Sequence, residues 1–211
     1  MDERVAITIC INYADYLSES LVINRKLFHH YYIITEESDS ETIALAKKHN
    51  CNIMLTSDKT QRDAIFNKSG MIHNAQKAIH KTHPFAWIII MDADICLPSD
   101  IWKSMSINTL NKNTLYGLSR KIFETKEDFE AQNASSIQCF KKPIGYFQMY
   151  WNKTRFYPIW SKNCSLCDIA FKNLFTKTKV FNEIPCMHVG KCETNWDGRV
   201  TESWNSDLLQ N

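Results

Sequence analysis

Glycine is scarce in this chain. Five occur in 211 residues, at Gly70, Gly117, Gly145, Gly190 and Gly198, and no two are close. A phosphate-binding G-x-x-x-x-G-K-S/T loop and a G-x-G-x-x-G dinucleotide turn both need glycines gathered in one loop. Neither can be assembled here. Any nucleotide this chain handles is not cradled by glycines. Charge of one sign is also missing. Lys and Arg total 25 against 23 for Asp and Glu, a net charge of +2. That excludes strong electrostatic steering toward nucleic acid, so no nucleic-acid partner is expected. No apolar run approaches the ~18 residues of a membrane span, so no transmembrane segment is expected. The charged Met1–Arg4 runs directly into an apolar stretch without a secretory leader. We therefore expect a cytoplasmic protein whose eight cysteines are reduced thiols. Cys164-x-x-Cys167 with Cys186 and Cys192 also admits a zinc reading. The second pair is spaced wider than structural zinc sites usually show, which favours buried thiols.

What remains is ordinary globular composition, 44% apolar and 23% charged. A chain of this length can bury ~70% of its unfolded surface and needs no staples. Val5–Ile11 reads as a buried strand, Ser18–Phe28 as a helix and Tyr31–Ile34 as a second strand. Ser40 and Thr42 can cap a helix over Glu41–His49. Asn52–Leu55 is a third strand. Lys68–His80 is a helix stopped at His83-Pro84, because proline bars the residue before it from helical backbone. Trp87–Met91 is the most apolar run. This alternation predicts an α/β sheet, largely parallel, with helices on both faces. The second half predicts strands at Thr114–Leu118, Pro143–Trp151 and Lys179–Ile184. It also predicts a helix over Ser165–Phe175. No repeat or linker divides the chain, so a single domain is expected.

Asp92-Ala93-Asp94 directly follows the most apolar strand. In an open α/β sheet, ligands bind beyond the carboxyl ends of the strands. Two carboxylates spaced i, i+2 on extended chain can share a divalent cation, and hard oxygen donors suit Mg²⁺ or Mn²⁺. The plainer alternative is a solvated acidic turn.

In pattern the chain resembles a GT-A fold glycosyltransferase of the family 2 type, within the nucleotide-diphospho-sugar transferase superfamily. The resemblance covers roughly residues 5–200. It begins at Val5-Ala-Ile-Thr-Ile-Cys-Ile-Asn-Tyr-Ala-Asp-Tyr-Leu17 and implies that Ile11, Asn12 and Tyr13 meet the nucleotide base. Ser38-Asp39-Ser40-Glu41-Thr42 resembles the second motif, with Glu37 and Asp39 as the alternatives for its base-binding acid. Lys68-Ser-Gly70-Met-Ile-His-Asn74 resembles the start of the donor-contacting helix, implying contacts from Lys68, Gly70 and Asn74. Asp92-Ala93-Asp94 stands where the family binds its metal. Gly145-Tyr-Phe-Gln148 resembles the acceptor-side strand, and Asp168 stands where the catalytic base would be. Met187-His188-Val189-Gly190 resembles a late histidine that completes the metal site. Asn195-Trp-Asp-Gly-Arg199 resembles a tail element.

The resemblance implies a Rossmann-like domain with a mostly parallel sheet. Residues 1–100 would bind the nucleotide sugar, and 101–211 would carry acceptor and catalytic parts. The implied activity is metal-dependent, inverting transfer from a nucleoside-diphosphate sugar, a UDP-sugar foremost, to a hydroxyl of a glycan, lipid or protein. Mn²⁺ or Mg²⁺ would sit on Asp92, Asp94 and His188, with Asp92 on the ribose or a metal-bound water, and a histidine ligand favouring Mn²⁺. Lys191 and Arg199 would neutralise diphosphate oxygens. Each role has a plainer competitor: a core histidine for His188, a helix cap for Asp168, a solvated tail for Lys191 and Arg199. Two other functions stay open. One is a non-catalytic nucleotide- or sugar-binding module. The other is a phosphatase of the haloacid-dehalogenase type, in which D-x-D normally lies near the N-terminus.

Overall fold

A computed structural model describes residues 2–57, 59–60, 66–152, 155–159, 166–191 and 203–204. Strand and helix alternate through the first half. The elements are β1 (Glu3–Ile9), α1 (Ala14–Asn24), β2 (His30–Thr35), α2 (Ser40–Lys48), β3 (Asn52–Leu55), α3 (Lys68–Thr82) and β4 (Ala86–Met91). After them come β5 (Ile95–Cys96), α4 (Ile101–Ser104), β6 (Thr114–Phe123), α5 (Lys126–Glu130), β7 (Ser136–Gln138), β8 (Phe147–Trp151), α6 (Cys167–Lys172) and β9 (Lys177–Val189). All nine strands join one sheet in the order β3-β2-β1-β4-β8-β6-β9-β5, with β7 paired to β6.

The parallel expectation holds for the first half only. β3, β2, β1 and β4 pair in parallel. Beyond β4 the sheet is mixed: β8 is antiparallel to β4 and β6, β9 is parallel to β6, and β5 is antiparallel to β9. Parallel neighbours need a crossover between them, and the first half supplies a helix for each. In the second half strand and helix alternate less regularly, and most neighbouring strands are not consecutive in the chain.

Alternation along the buried strands sorts two cores. In β4, Trp87, Ile89 and Met91 face one cluster, with Leu17 and Leu21 of α1 and Ala46 of α2. Ala86, Ile88 and Ile90 face the other, with Met71, Ile72 and Ala75 of α3 and Phe171 of α6. This two-residue period is what a sheet covered on both faces requires. The cap of α2 is Asp39 and not Ser40: its side chain accepts from the Thr42 backbone N–H. A carboxylate at that position also favours the helix dipole. Strand β6 runs five residues past the expected Leu118, because β7 and β9 give its extra backbone groups partners. Among the described residues no helix is long and apolar enough to cross a membrane.

Candidate active site

The apolar run of β4 ends at Met91, and Asp92 emerges at the carboxyl edge of the parallel strands. The loop that follows is held from beneath by two buried polar side chains of α1. Ser20 Oγ donates to the Ala93 carbonyl at 2.6 Å. Asn24 donates to the Ile95 carbonyl at 2.6 Å and accepts from the Leu97 N–H at 2.9 Å. The Asp92 N–H bonds to the Tyr146 carbonyl at 3.1 Å. Every strut ends on backbone, so the loop can hold its two aspartates rigidly.

The aspartates go separate ways. Asp92 Oδ1 accepts from Lys68 Nζ at 2.9 Å. Asp94 turns inward, and its Oδ2 lies 3.6 Å from His188 Nε2. Strand β9 fixes that meeting: His188 sits opposite Ile95, and the Val189 N–H bonds to the Asp94 carbonyl at 2.9 Å. His188 Nδ1 lies 3.1 Å from the Gly190 carbonyl. That acceptor places the ring proton on Nδ1, so the Nε2 facing Asp94 carries a lone pair in the neutral ring. Asp94 Oδ1 is buried with no hydrogen-bond partner. Burial pushes the Asp94 carboxyl above the usual carboxylate range, His188 offsets this and Asp92 adds to it. A buried orphan oxygen beside a bare imidazole nitrogen is a costly arrangement unless a cation joins them. The donor set therefore fits a divalent ion of the Mn²⁺ or Mg²⁺ type. Asp92, Asp94 and His188 do not all converge within 4.8 Å of one another among the described residues. Asp94 and His188 form the pair, and Asp92 stands beside it on Lys68. Gly190 adopts φ +97°, and a Cβ there would press on the Tyr16 ring, so this turn admits only glycine.

On the other side of Lys68 lies Asp168, at the start of α6. Its Oδ1 is 4.0 Å from Lys68 Nζ and accepts from Tyr157 Oη at 2.8 Å. Among the described residues nothing donates to Oδ2. The buried Tyr157 hydroxyl also contacts Gln148 Oε1, and Gln148 Nε2 donates to the Asp168 carbonyl at 3.3 Å. Gln76 fixes Tyr157 in turn, accepting from its N–H at 2.6 Å and donating to Tyr150 Oη at 2.6 Å. Burial, then the charge of Asp168, pushes the Tyr157 phenol well above its ordinary value, so it stays a donor. Gly145 closes the site: a Cβ there would overlap the Asp168 carboxylate, lying 2.8 Å from Oδ1.

The donor-side residues scatter more. Asp39 is buried and spends its carboxylate internally, taking the Asn12 N–H at 2.7 Å, the Thr35 hydroxyl and the Thr42 N–H. Glu37 is exposed. Asn12 takes φ 56°, a left-handed turn that asparagine tolerates. Ile11 is half-buried, and Tyr13 stacks on Tyr16 with centroids 4.3 Å apart. A concavity between the starts of α1 and α2 is lined by Asn12, Asp15, Ser38, Asp39, Glu41 and Ser203, among others. Gly70 packs under its helix cap, its N–H bonded to Asn67 Oδ1 at 3.0 Å, and Asn74 lies on the exposed face of α3. Ala93 is buried and Lys191 exposed. Arg199, Cys164 and Cys192 lie outside the described residues. Cys167 and Cys186 are buried free thiols. Sequence reasoning missed Tyr157, Gln76, Ser20 and Asn24. No local motif marks them, since each acts on a residue brought near only by the fold.

No family model matches the chain, and no curated protein does. Solved structures do share its architecture. The 4-diphosphocytidyl-2C-methyl-D-erythritol synthase aligns over 99% of this chain and 97% of its own at TM-score 0.54 and 10% identity. The chain has the nucleotide-diphospho-sugar transferase fold. HddC from Yersinia pseudotuberculosis aligns over 87% of this chain and 92% of its own, at TM-score 0.52 and 12% identity. Glucosyl-3-phosphoglycerate synthase from Mycobacterium tuberculosis, solved with Mn²⁺, uridine diphosphate and glucosyl-3-phosphoglycerate, aligns over 90% of this chain and 73% of its own. That match has TM-score 0.51 and 10% identity. At such identities the likeness shows a shared fold.

Proposed function

We propose that this chain is a metal-dependent, inverting glycosyltransferase. It moves a sugar from a nucleoside diphosphate, a UDP-sugar foremost, to an acceptor hydroxyl of a glycan, lipid or protein. One observation carries the reading: beyond β4 the Asp94 carboxylate turns Oδ2 to within 3.6 Å of His188 Nε2 while its Oδ1 is buried without a hydrogen-bond partner. An ion held there by Asp94 and His188, with Asp92 alongside, would act as Lewis acid and template for the departing diphosphate. The Mn²⁺ and uridine diphosphate in the mycobacterial synthase, a protein of the same fold, agree with that choice.

The chain's own residues do the rest. Asp168 takes the proton of the acceptor hydroxyl as it attacks. Its Oδ1 is committed to Tyr157, which leaves Oδ2 for the incoming proton. Lys68 is shared between Asp92 and Asp168, and it can neutralise charge that grows on the leaving group. A single base on the acceptor side gives in-line displacement and hence inversion. The concavity at α1 and α2, with Tyr13 beside it, is our candidate for the nucleoside. Nucleotidyl transfer fits less well. It needs free backbone N–H groups after the first strand for a triphosphate. Here the Asn12 N–H is given to a carboxylate, and acids line the loop.

Thermal-shift measurements with UDP, GDP and CMP, each with and without Mn²⁺, test the reading. A Mn²⁺-dependent shift with one diphosphate, followed by hydrolysis of the matching sugar donor, is expected. A shift with no turnover on any donor would make the chain a binding module, and no metal-dependent shift would overturn the metal site.

A further inference from the structure

At the opposite end of the sheet three metal-ligating side chains meet. Glu3 opens β1, His30 opens β2, and His83 caps α3 shortly before β4. Parallel pairing brings them together: Val5 lies opposite His30, and Glu3 lies opposite Ala86. Asp92 is at the far end of β4, roughly 20 Å away at ~3.3 Å per residue. Glu3 Oε1 lies 3.0 Å from His30 Nε2 and 3.1 Å from His83 Nδ1. All three donor atoms lie within 4.8 Å of one another. The two rings sit 4.3 Å apart, tilted by 41°.

We propose that Glu3, His30 and His83 form a binding site for a zinc-class divalent ion. Donors ~2.0–2.1 Å from a tetrahedral ion lie roughly 3.3 Å from each other, close to the spacings already present. Two imidazole nitrogens and one carboxylate oxygen, without thiolate, suit Zn²⁺, and a water can complete the four. His83 is held from behind: its Nε2 lies 3.0 Å from Tyr32 Oη, and its carbonyl accepts from Asn152 Nδ2 at 2.6 Å. Ligating histidines commonly have such a partner on the second nitrogen. Each neutral ring moves its N–H to the other nitrogen, and for His83 that N–H then points at Tyr32 Oη, which can accept as readily as donate. The His83 side chain is only 11% exposed, while Glu3 and His30 are each more than a third exposed, so the site is anchored on one side and reachable from the other. An ion here ties the starts of β1 and β2 to the α3–β4 junction.

The test uses the untagged full chain, stripped with chelator and titrated with Zn²⁺ alone, in wild-type and Asp94→Asn forms. The second form removes the other candidate ion site. One equivalent is expected to remain in Asp94→Asn, with a rise in Tm. Glu3→Gln and His30→Gln, both at partly exposed positions, are expected to lower its affinity by more than ~100-fold, and Tyr32→Phe by ~10–100-fold. His83→Gln is a further check if it folds. Co²⁺ as a spectroscopic probe is expected to show tetrahedral nitrogen and oxygen ligation. Absence of Zn²⁺ binding, binding unchanged in Glu3→Gln and His30→Gln, or a thiolate-to-cobalt band would each overturn the proposal.

Discussion

Replacing Gly145 by alanine puts one methyl group against the proposed base. The added Cβ would overlap the Asp168 carboxylate, and even its farther oxygen, Oδ1, would lie at only 2.8 Å. Ordinary carbon–oxygen contact is ~3.5 Å, so the carboxylate or the loop must shift by at least ~1 Å. Moving Asp168 breaks its bond from Tyr157, now 2.8 Å. Moving the loop instead disturbs the Lys68 contact to the Gly145 carbonyl at 3.3 Å. A misplacement of ~1 Å at a reacting centre can cost ~10²-fold, or about 2.7 kcal/mol of barrier. Gly145 does not sit in left-handed backbone, so alanine brings no conformational penalty of its own. The effect should therefore appear in kcat, with folding and nucleotide binding retained. Steady-state transfer kinetics of Gly145→Ala, Asp168→Asn and the double variant measure it. Once Asp168 is neutralised, adding Gly145→Ala should cost little more, because both changes disable one group. Transfer by Gly145→Ala within about threefold of wild type, or full additivity in the double variant, would refute the reasoning.

Asp94→Asn should abolish the Mn²⁺-dependent shift with nucleoside diphosphate while leaving the metal-free chain about as stable at pH 7.5, since it removes the desolvation cost of a buried carboxylate whose Oδ1 has no hydrogen-bond partner; a Tm drop of several degrees without metal would contradict this. Tyr157→Phe should lower kcat about tenfold and cost ~1–3 kcal/mol in denaturant unfolding, because it removes the one buried hydroxyl that Asp168 Oδ1 and Gln148 Oε1 share. Unchanged kcat would remove Tyr157 from the site. Alkaline pH should weaken the fold. Burial pushes the Cys10 thiol up to about 12 and Cys51 up to about 11, and raises Cys96 and Cys186 as well. Above ~8.5 the unfolded thiols lose protons that the folded chain keeps, so stability falls as pH rises. The slope is up to ~1.4 kcal/mol per pH unit for each fully buried thiol. Unfolding free energies that stay flat from pH 8 to 10.5 would refute it. The exposed Cys139 should then alkylate well before Cys10 at pH 8, as mass spectrometry can show.

Much of the first half was legible because its signals are local. Asn52–Leu55 and the start of α3 at Lys68 fall where hydrophobic spacing puts them. Strand β4 begins one residue before the expected Trp87. The helix read over Ser18–Phe28 instead starts at Ala14, since α1 carries a weak apolar stripe and buries Ser20 and Asn24. These polar residues look like surface in the sequence and are buried because loop carbonyls beyond β4 need donors. The two-residue strand β5 has no periodicity to read, yet it sets Ile95 opposite His188.

By itself the sequence determined that glycine loops could not hold phosphate here and that a carboxylate pair would follow the most apolar strand. Composition and short-range spacing are enough for both. Only the tertiary structure decided how that pair divides, with Asp92 on Lys68 and Asp94 turned to His188. The partner residues lie 24 and 94 positions away along the chain. Sheet register, not local propensity, brings His188 to Asp94, just as it brings Glu3, His30 and His83 to one edge.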